Sequence, residues 1–292
     1  MSDQPSVTVV VPVFGDSGDL RSTVDALLAQ DYDGPYEVVL VDNGDNAASP
    51  VLGEGAPELP SPFRVVRETR PGSYAARNAG VRASRADVLA FTDADCVPRP
   101  DWLRNGVASL RATDGPVFVG GRISVFRGTT GPATSAELYE LARGFPQQAY
   151  LARESFAATA NVLVDRASFQ TVGPFEDRLM SGGDREWGER ATAAGLRGVY
   201  APTAVVDHPC RSSLAELRRK VVRVTEGHVQ VRRVRGEPEP PRREVLRELL
   251  PPVRTTLRHA RGLHGTARLA PVRYVGVALY VHYLQVVLRL RR

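Results

Sequence analysis

Lysine occurs once in these 292 residues, at Lys220, and cysteine, methionine and tryptophan twice each. Cys96 and Cys210 are too few to build a disulfide scaffold, and they form no Cys-x-x-Cys pair. No series of long apolar spans is present to line a polymer channel. The one candidate stretch, 274–290, has 17 residues, is interrupted by His282 and Gln285, and sits at the lower limit of the roughly 17–25 residues a spanning helix needs. The start, Met1-Ser2-Asp3-Gln4-Pro5, has neither a basic segment nor an apolar signal core, so the main domain is expected in the cytoplasm. Pro12-Val13-Phe14-Gly15-Asp16-Ser17-Gly18-Asp19, after the first apolar run, lacks Gly-x-Gly-x-x-Gly, which argues against a dinucleotide-dependent oxidoreductase. The hydrophobic fraction of 42% and charged fraction of 24% exclude a disordered or collagen-like chain. They leave room for an α/β domain of about 200–250 residues and an appendage.

Charge is divided unevenly. From Arg211 onward there are 19 Arg+Lys against 6 Glu and no Asp, while residues 1–210 carry 19 against 27. The tail is the basic part, suited to an anionic membrane surface, nucleic acid or a phosphate-bearing acceptor. Because it has no aromatic-interleaved or groove-reading motif, nucleic acid is not the expected partner. The shortage of lysine is compositional bias without a physical message.

Short apolar runs alternate with amphipathic stretches through the first two-thirds, the pattern of a mainly parallel sheet flanked by helices. Strands are expected at 7–13, 37–41, 63–66, 88–92, 117–123 and 160–164, and helices at 19–30, 73–84, 100–111 and 184–194. Pro100 suits a first helical turn and Gly195 a C-cap. Residues 43–62, rich in Gly, Pro, Ala and Asp, are expected to be a surface excursion. After Asp207-His208-Pro209 the pattern becomes helical. The expected division is a catalytic domain over 1–211 and a basic helical extension over 212–292, interrupted at Gly236-Glu237-Pro238-Glu239-Pro240-Pro241. A second basic helix is expected over 242–264. The tyrosines and flanking arginines of 274–290 fit either a helix at the lipid interface or a docked helix or dimer contact.

Three segments carry chemistry. Val88-Leu89-Ala90-Phe91-Thr92-Asp93-Ala94-Asp95 is an apolar strand running into carboxylates spaced i, i+2, a turn able to offer oxygen to Mg²⁺ or Mn²⁺ completed by substrate phosphates. Capping of the next helix is the plainer reading of a lone Asp-x-Asp. Val38-Val39-Leu40-Val41-Asp42-Asn43-Gly44 ends in a carboxylate at the same expected sheet edge, where open α/β sheets bind ligands. Asp42 could accept from a nucleobase or ribose, or belong to an ordinary turn. In Arg70-Pro71-Gly72-Ser73-Tyr74-Ala75-Ala76-Arg77-Asn78-Ala79-Gly80, small residues permit close packing, while Arg77 and Asn78 are expected to project toward phosphate and a base or sugar edge.

Val10-Val11-Pro12-Val13-Phe14, the strand ending at Asp42, Ala76-Arg77-Asn78-Ala79-Gly80 and Thr92-Asp93-Ala94-Asp95 stand in an order and spacing that resembles family 2 glycosyltransferases of the GT-A fold, over roughly residues 6–210. The resemblance implies an α/β GT-A fold, a nucleotide-diphosphate sugar donor (a UDP-sugar by family habit), a divalent metal at Asp95 and inversion at the anomeric carbon. It assigns Pro12, Phe14, Asp42, Arg77, Asn78, Asp93 and Ala94 to the donor nucleotide. Met180-Ser181-Gly182-Gly183-Asp184-Arg185-Glu186-Trp187 resembles the family's acidic motif with Gly183 in place of a Glu. Asp184 is then the expected general base, or an N-cap, with Glu186 as fallback base. Glu186, Trp187 and Arg211 are candidates for acceptor or diphosphate contact. His208 lies where many relatives carry a histidine toward the metal or diphosphate, and Cys96 and Cys210 read as small fillers because thiolate suits these ions poorly.

Processive members carry Gln-x-x-Arg-Trp, whereas Gln230-Val231-Arg232-Arg233-Val234 has Val in the last place, so a single transfer per encounter is expected. The acidic segment after the first strand also lacks the basic Gly-rich loop of sugar-1-phosphate nucleotidyltransferases. The alternative is a non-catalytic nucleotide-sugar or anionic-polymer binding protein. A basic membrane-facing tail would go with a glycan or lipid-linked acceptor at the inner face of the membrane.

Overall fold

The computed structural model describes residues 4–15, 20–44, 59–263 and 269–291. It divides into two compact units, Met1–Ser124 with Pro146–His208, and Val125–Phe145 with Pro209–Arg292. Residues 125–145 therefore belong with the C-terminal helices. Most of the 43–62 excursion, and Asp19 and His264 at the ends of expected helices, lie outside the described residues.

The first unit is built on an eight-stranded sheet. In chain order its strands are β1 (Val7–Val13), β2 (Tyr36–Asp42), β3 (Phe63–Arg67), β4 (Val88–Phe91), β5 (Val97–Pro98), β6 (Val117–Phe126), β7 (Val162–Asp165) and β8 (Arg197–Pro209). Across the sheet they run β3-β2-β1-β4-β7-β6-β8-β5. β3, β2, β1 and β4 are parallel, β7 is antiparallel to β4 and β6, and β5 is antiparallel to β8. β1 and β4 are apolar runs buried almost throughout, as strands covered on both faces must be. β3 at the edge buries only Phe63, its other residues being partly or fully exposed.

The register places Val13 beside Asp42 and Val10 beside Phe91, so the polar residues after β1, β2 and β4 converge on one edge. The helices of this unit are α1 (Leu20–Leu28), α2 (Ser73–Ala83), α3 (Trp102–Arg111), α5 (Gln147–Glu154), α6 (Arg166–Val172) and α7 (Gly183–Ala193), with α4 (Ser135–Arg143) in the second unit. α2 lies against the sheet so closely that a Cβ at Gly80 would stand 2.4 Å from Val10 Cγ1. α3 starts at Trp102 behind Asp101, so Pro100 precedes the first turn that it was expected to open. Gly195, at φ +91°, ends α7 as expected: its N–H bonds the Thr192 carbonyl and that of Leu196 bonds Ala191, the paired geometry of a Schellman cap.

In the second unit α4 and α8 (Leu214–Val234) both begin with capping boxes, Thr134 with Glu137 and Ser213 with Glu216. The basic helix expected over 242–264 is instead α9 (Arg242–Arg247) and α10 (Val253–Arg261), because Pro251 and Pro252 cannot donate the N–H groups a continuous helix needs. α11 (Ala270–Leu290) buries Ala270, Tyr274, Val277 and Val281 in a core with Tyr139, Leu217 and Val221. The rings of Tyr139 and Tyr274 stack at 5.8 Å. Within this core Glu140 receives Lys220 at 2.6 Å and Arg211 at 3.2 Å. Burial and the Arg211 charge push the Lys220 ammonium below its usual value, against the pull of Glu140. Among the described residues no helix is long and apolar enough to cross a membrane.

Candidate active site

Buried residues that cannot leave their places form the floor of the sheet edge. Asp42, 8% exposed at the end of β2, accepts the Gly44 N–H and pairs with Arg67 at the end of β3. Asn43 bonds the carbonyls of Glu68 (2.8 Å) and Arg70 (2.6 Å) and accepts the Gly72 N–H (2.9 Å). One amide thus ties the end of β2 to the entry of α2. Arg70 holds the Glu68 carboxyl down at about 2, chiefly through a side-chain hydrogen bond. Phe14 leaves the end of β1 and is 63% exposed, while the preceding Pro12 is partly buried.

Arg77 on α2 is 3% exposed, and its Nη2 donates to Asp93 Oδ1 at 2.5 Å. Its guanidinium stands over the Tyr74 ring, 5.5 Å from the centroid, and its buried Nε has no hydrogen-bond partner among the described residues. Asn78 faces inward instead of projecting. It donates to the Phe175 carbonyl at 2.8 Å and accepts the Phe175 N–H at 3.0 Å, so both ends of its amide are spent on the backbone.

Asp93, Asp95, Cys96 and His208 bring one potential ligand atom each to within 4.8 Å of one another. The Asp-x-Asp turn is fastened from below: Cys96 N–H bonds the Asp93 carbonyl, and the Thr23 hydroxyl reaches the carbonyls of Ala94 (2.8 Å) and Cys96 (2.7 Å). Short strand β5 pairs Val97 with Asp207, and that register delivers His208 to Cys96 across a separation of more than a hundred residues. An Arg99–Asp207 ion pair at 3.0 Å closes the same corner. Burial first, then the nearby Asp93 and Asp95 carboxylates, push the Cys96 thiol well above its ordinary value. Two carboxylates and an imidazole remain as donors, a set that suits Mn²⁺ or Mg²⁺ completed by phosphate oxygens.

At the start of α7, Asp184 Oδ1 accepts the Arg185 N–H at 2.9 Å and the Tyr74 hydroxyl at 3.3 Å. Burial raises its carboxyl above the ordinary aspartate value, against the lowering by the Arg185 N–H and the Arg77 charge. Glu186 is 7% exposed and paired with Arg190 at 2.6 Å, while Arg190 also bonds the carbonyls of Val172 and Pro174. Trp187 donates to the Gly173 carbonyl and packs among Phe118, Phe169 and Phe175. Both point into the protein. Arg211 belongs to the second unit and is engaged with Glu140 through its backbone N–H and side chain. Among the described residues, Asp184 is therefore the carboxylate of the acidic motif that no salt bridge engages.

Tyr74, Arg67 and the clamp at Asn43 take part in the site without a role that the sequence motifs assign. Tyr74 had a visible signal, since it precedes Arg77 by three residues and so shares its helix face.

A parallel half-sheet ending in this carboxylate-lined edge is the frame of a GT-A-type glycosyltransferase. The same frame is found in the mannosyltransferase PcManGT from Pyrobaculum calidifontis in complex with GDP-Man and Mn²⁺, at a TM-score of 0.62 and 19% identity over 98% of this chain and 86% of that one. GalNAc-T7 with UDP, GalNAc and Mn²⁺ matches at a TM-score of 0.54 and 17% identity, over 75% of this chain and 48% of that one. Glycosyl transferase family 2 matches residues 8–173. Glycosyltransferase AglE of Haloferax volcanii is 34% identical over 239 residues, 79% of this chain and 75% of that protein. The pre-mycofactocin glycosyltransferase of Mycobacterium tuberculosis is 28% identical over 214 residues, 72% of this chain and 44% of that protein. The chain belongs to glycosyl transferase family 2 and is a transferase enzyme.

Proposed function

We propose that this enzyme moves a sugar, with inversion and one residue per encounter, from a nucleotide-diphosphate donor to an acceptor hydroxyl. The carrying observation is that α2 links the two halves of the site: Arg77 grips Asp93 of the Asp-x-Asp turn, and three residues earlier Tyr74 reaches Asp184. Exposed Phe14 offers a ring face to the base, and Asp42, held by Arg67, offers carboxylate oxygen to base or ribose. Asp95 and His208, with Asp93 beside them, would hold Mn²⁺ or Mg²⁺. When bound, such an ion neutralises charge developing on the departing diphosphate. Asp184 takes the acceptor proton as the acceptor oxygen bonds to the anomeric carbon and the bond from that carbon to the diphosphate oxygen breaks. One base suffices for a displacement from the opposite face. Binding of a nucleoside diphosphate that requires both Mn²⁺ and Asp95 tests donor and metal together, with GDP and UDP side by side. Failure of both nucleotides to bind removes the assignment.

The acceptor side of the reading is a lipid-linked or envelope glycan at an anionic membrane surface. From Leu249 to Arg292 there is no Asp or Glu against eight Arg. On α11, Val272, Tyr280, Tyr283 and Val287 are exposed, at spacings that return to one helical face opposite the buried one. Leu250, Val253 and Leu257 are exposed beside Arg254 and Arg258. Apolar and tyrosine side chains among arginines fit the lipid interface. The intact protein is expected to co-sediment with phosphatidylglycerol-containing vesicles and not with purely zwitterionic ones. Replacing both Tyr280 and Tyr283 with Glu should weaken that binding by at least about tenfold. Equal recovery with and without vesicles, or a double variant that binds as the wild type does, would remove the membrane from this account.

A further inference from the structure

We propose that Tyr74 is a positioning residue for Asp184, seated in space that only a glycine at 183 leaves open, so that Asp184 offers its Oδ2 to the acceptor proton. The proposal rests on Asp184 being the base. A Cβ built at Gly183 would stand 2.7 Å from Tyr74 Cε2 and 2.9 Å from Cζ, closer than real side chains come, so any larger residue at 183 displaces the ring. The ring, 5% exposed, is held on its other sides by Phe175, with centroids 5.8 Å apart, and by the Arg77 guanidinium. Its hydroxyl is thereby aimed at Asp184 Oδ1, where the Arg185 N–H also arrives. Both hydrogen bonds fall on the same oxygen, which fixes the plane of the carboxylate and leaves Oδ2 as the oxygen without either donor. Burial keeps the Tyr74 phenol far above its usual value, so it remains a donor throughout the working range.

The arrangement also sets a distance. Tyr74 and Arg77 occupy neighbouring positions on one face of a rigid helix, one holding the base and the other the Asp-x-Asp turn. The site then depends on α2 for the relative placement of acceptor proton and leaving group.

Because the acceptor is unidentified, the assay reads hydrolysis by water of GDP-mannose and UDP-sugars by the full chain with Mn²⁺. Tyr74→Phe keeps the ring and removes the donor; kcat is expected to fall about tenfold to a hundredfold, the range for one hydrogen bond to a charged group, with KM for the donor unchanged. Gly183→Ala should do the same by pushing the ring aside. In Asp184→Asn the Tyr74→Phe change should cause no further loss. An unchanged kcat in Tyr74→Phe, or a loss appearing in KM, overturns the proposal while leaving the base assignment intact. Full activity in Asp184→Asn instead sinks the base assignment itself. Urea denaturation of the wild type, Tyr74→Phe, Asp184→Ala, which removes the acceptor oxygen altogether, and their double variant checks the contact without turnover. Non-additive changes are expected, and strictly additive ones contradict it.

Discussion

Asp184→Asn is expected to cost about 10²- to 10⁴-fold in transfer, the usual contribution of a positioned general base, and yet to raise the melting temperature. Asparagine keeps an oxygen for the Tyr74 hydroxyl and the Arg185 N–H but carries no charge to bury. The sign follows from the raised carboxyl, which burial lifts above the 3.8 of free aspartate. A carboxyl whose folded value is raised contributes stability that is fully present below the unfolded value and is lost as pH rises through the folded one. Above the unfolded value the wild type progressively loses that stability, whereas the uncharged variant does not. The same shift moves the acid limb of kcat/KM to a pH above the ordinary aspartate range, because the base works only when deprotonated. Thermal melts and a pH–rate profile check the two halves separately. A variant that is both inactive and less stable would mean that Asp184 is chiefly a structural cap.

Asp93→Ala is expected to act the other way on stability, although it lies on the same edge. Arg77 is 3% exposed, its Nη2 is satisfied by Asp93 and its Nε by no hydrogen bond among the described residues. Removing the carboxylate strands a buried guanidinium, a change that typically costs about 3–5 kcal/mol. Asp93 itself keeps a third of its side chain in solvent, so the reverse deletion, Arg77→Ala, leaves an anion that water can reach and should cost less. For a unit of this size the expected fall is about 10 °C in melting temperature for Asp93→Ala, measured by calorimetry on the intact protein. A melt within about 1 °C of the wild type would show that Arg77 finds another partner and that the pair is not what fixes α2.

The parts of the fold that are legible in the sequence are those where one physical signal acts alone. β4 is an unbroken apolar run, β1 is broken only by Thr8, and Gly195 stops α7 with the positive φ that a glycine tolerates. β8 was missed because Gly198 and Pro202 interrupt its pattern, and its exposed first half does not alternate. β5 has two residues and no periodicity to read, yet its pairing with β8 is what carries His208 to the Asp-x-Asp turn. The candidate residues at the ends of strands, Asp42, Asp93 and Asp95, stand at one sheet edge as expected, because the parallel register of β2, β1 and β4 brings their carboxyl ends together. Asn78, Glu186 and Trp187 were not legible in this way, since a polar residue on a helix gives no sign of whether it turns outward or ties down backbone inside. Gly183 read as a loss from the acidic motif. Only the Tyr74 ring lying against it shows what occupies the space.

We propose that the edge formed by Asp42, Arg77, Asp93, Asp95 and His208 binds a nucleoside diphosphate together with a divalent ion. Calorimetric titration of the full chain with GDP, UDP and their sugars, in Mn²⁺ and again in chelator, tests it most directly, with Asp95→Ala alongside. Heat of binding is expected for one nucleotide in Mn²⁺, with its loss in chelator and its loss in Asp95→Ala. Binding that is indifferent to Mn²⁺ and to Asp95, or no binding of either nucleotide by a folded wild type, would contradict it.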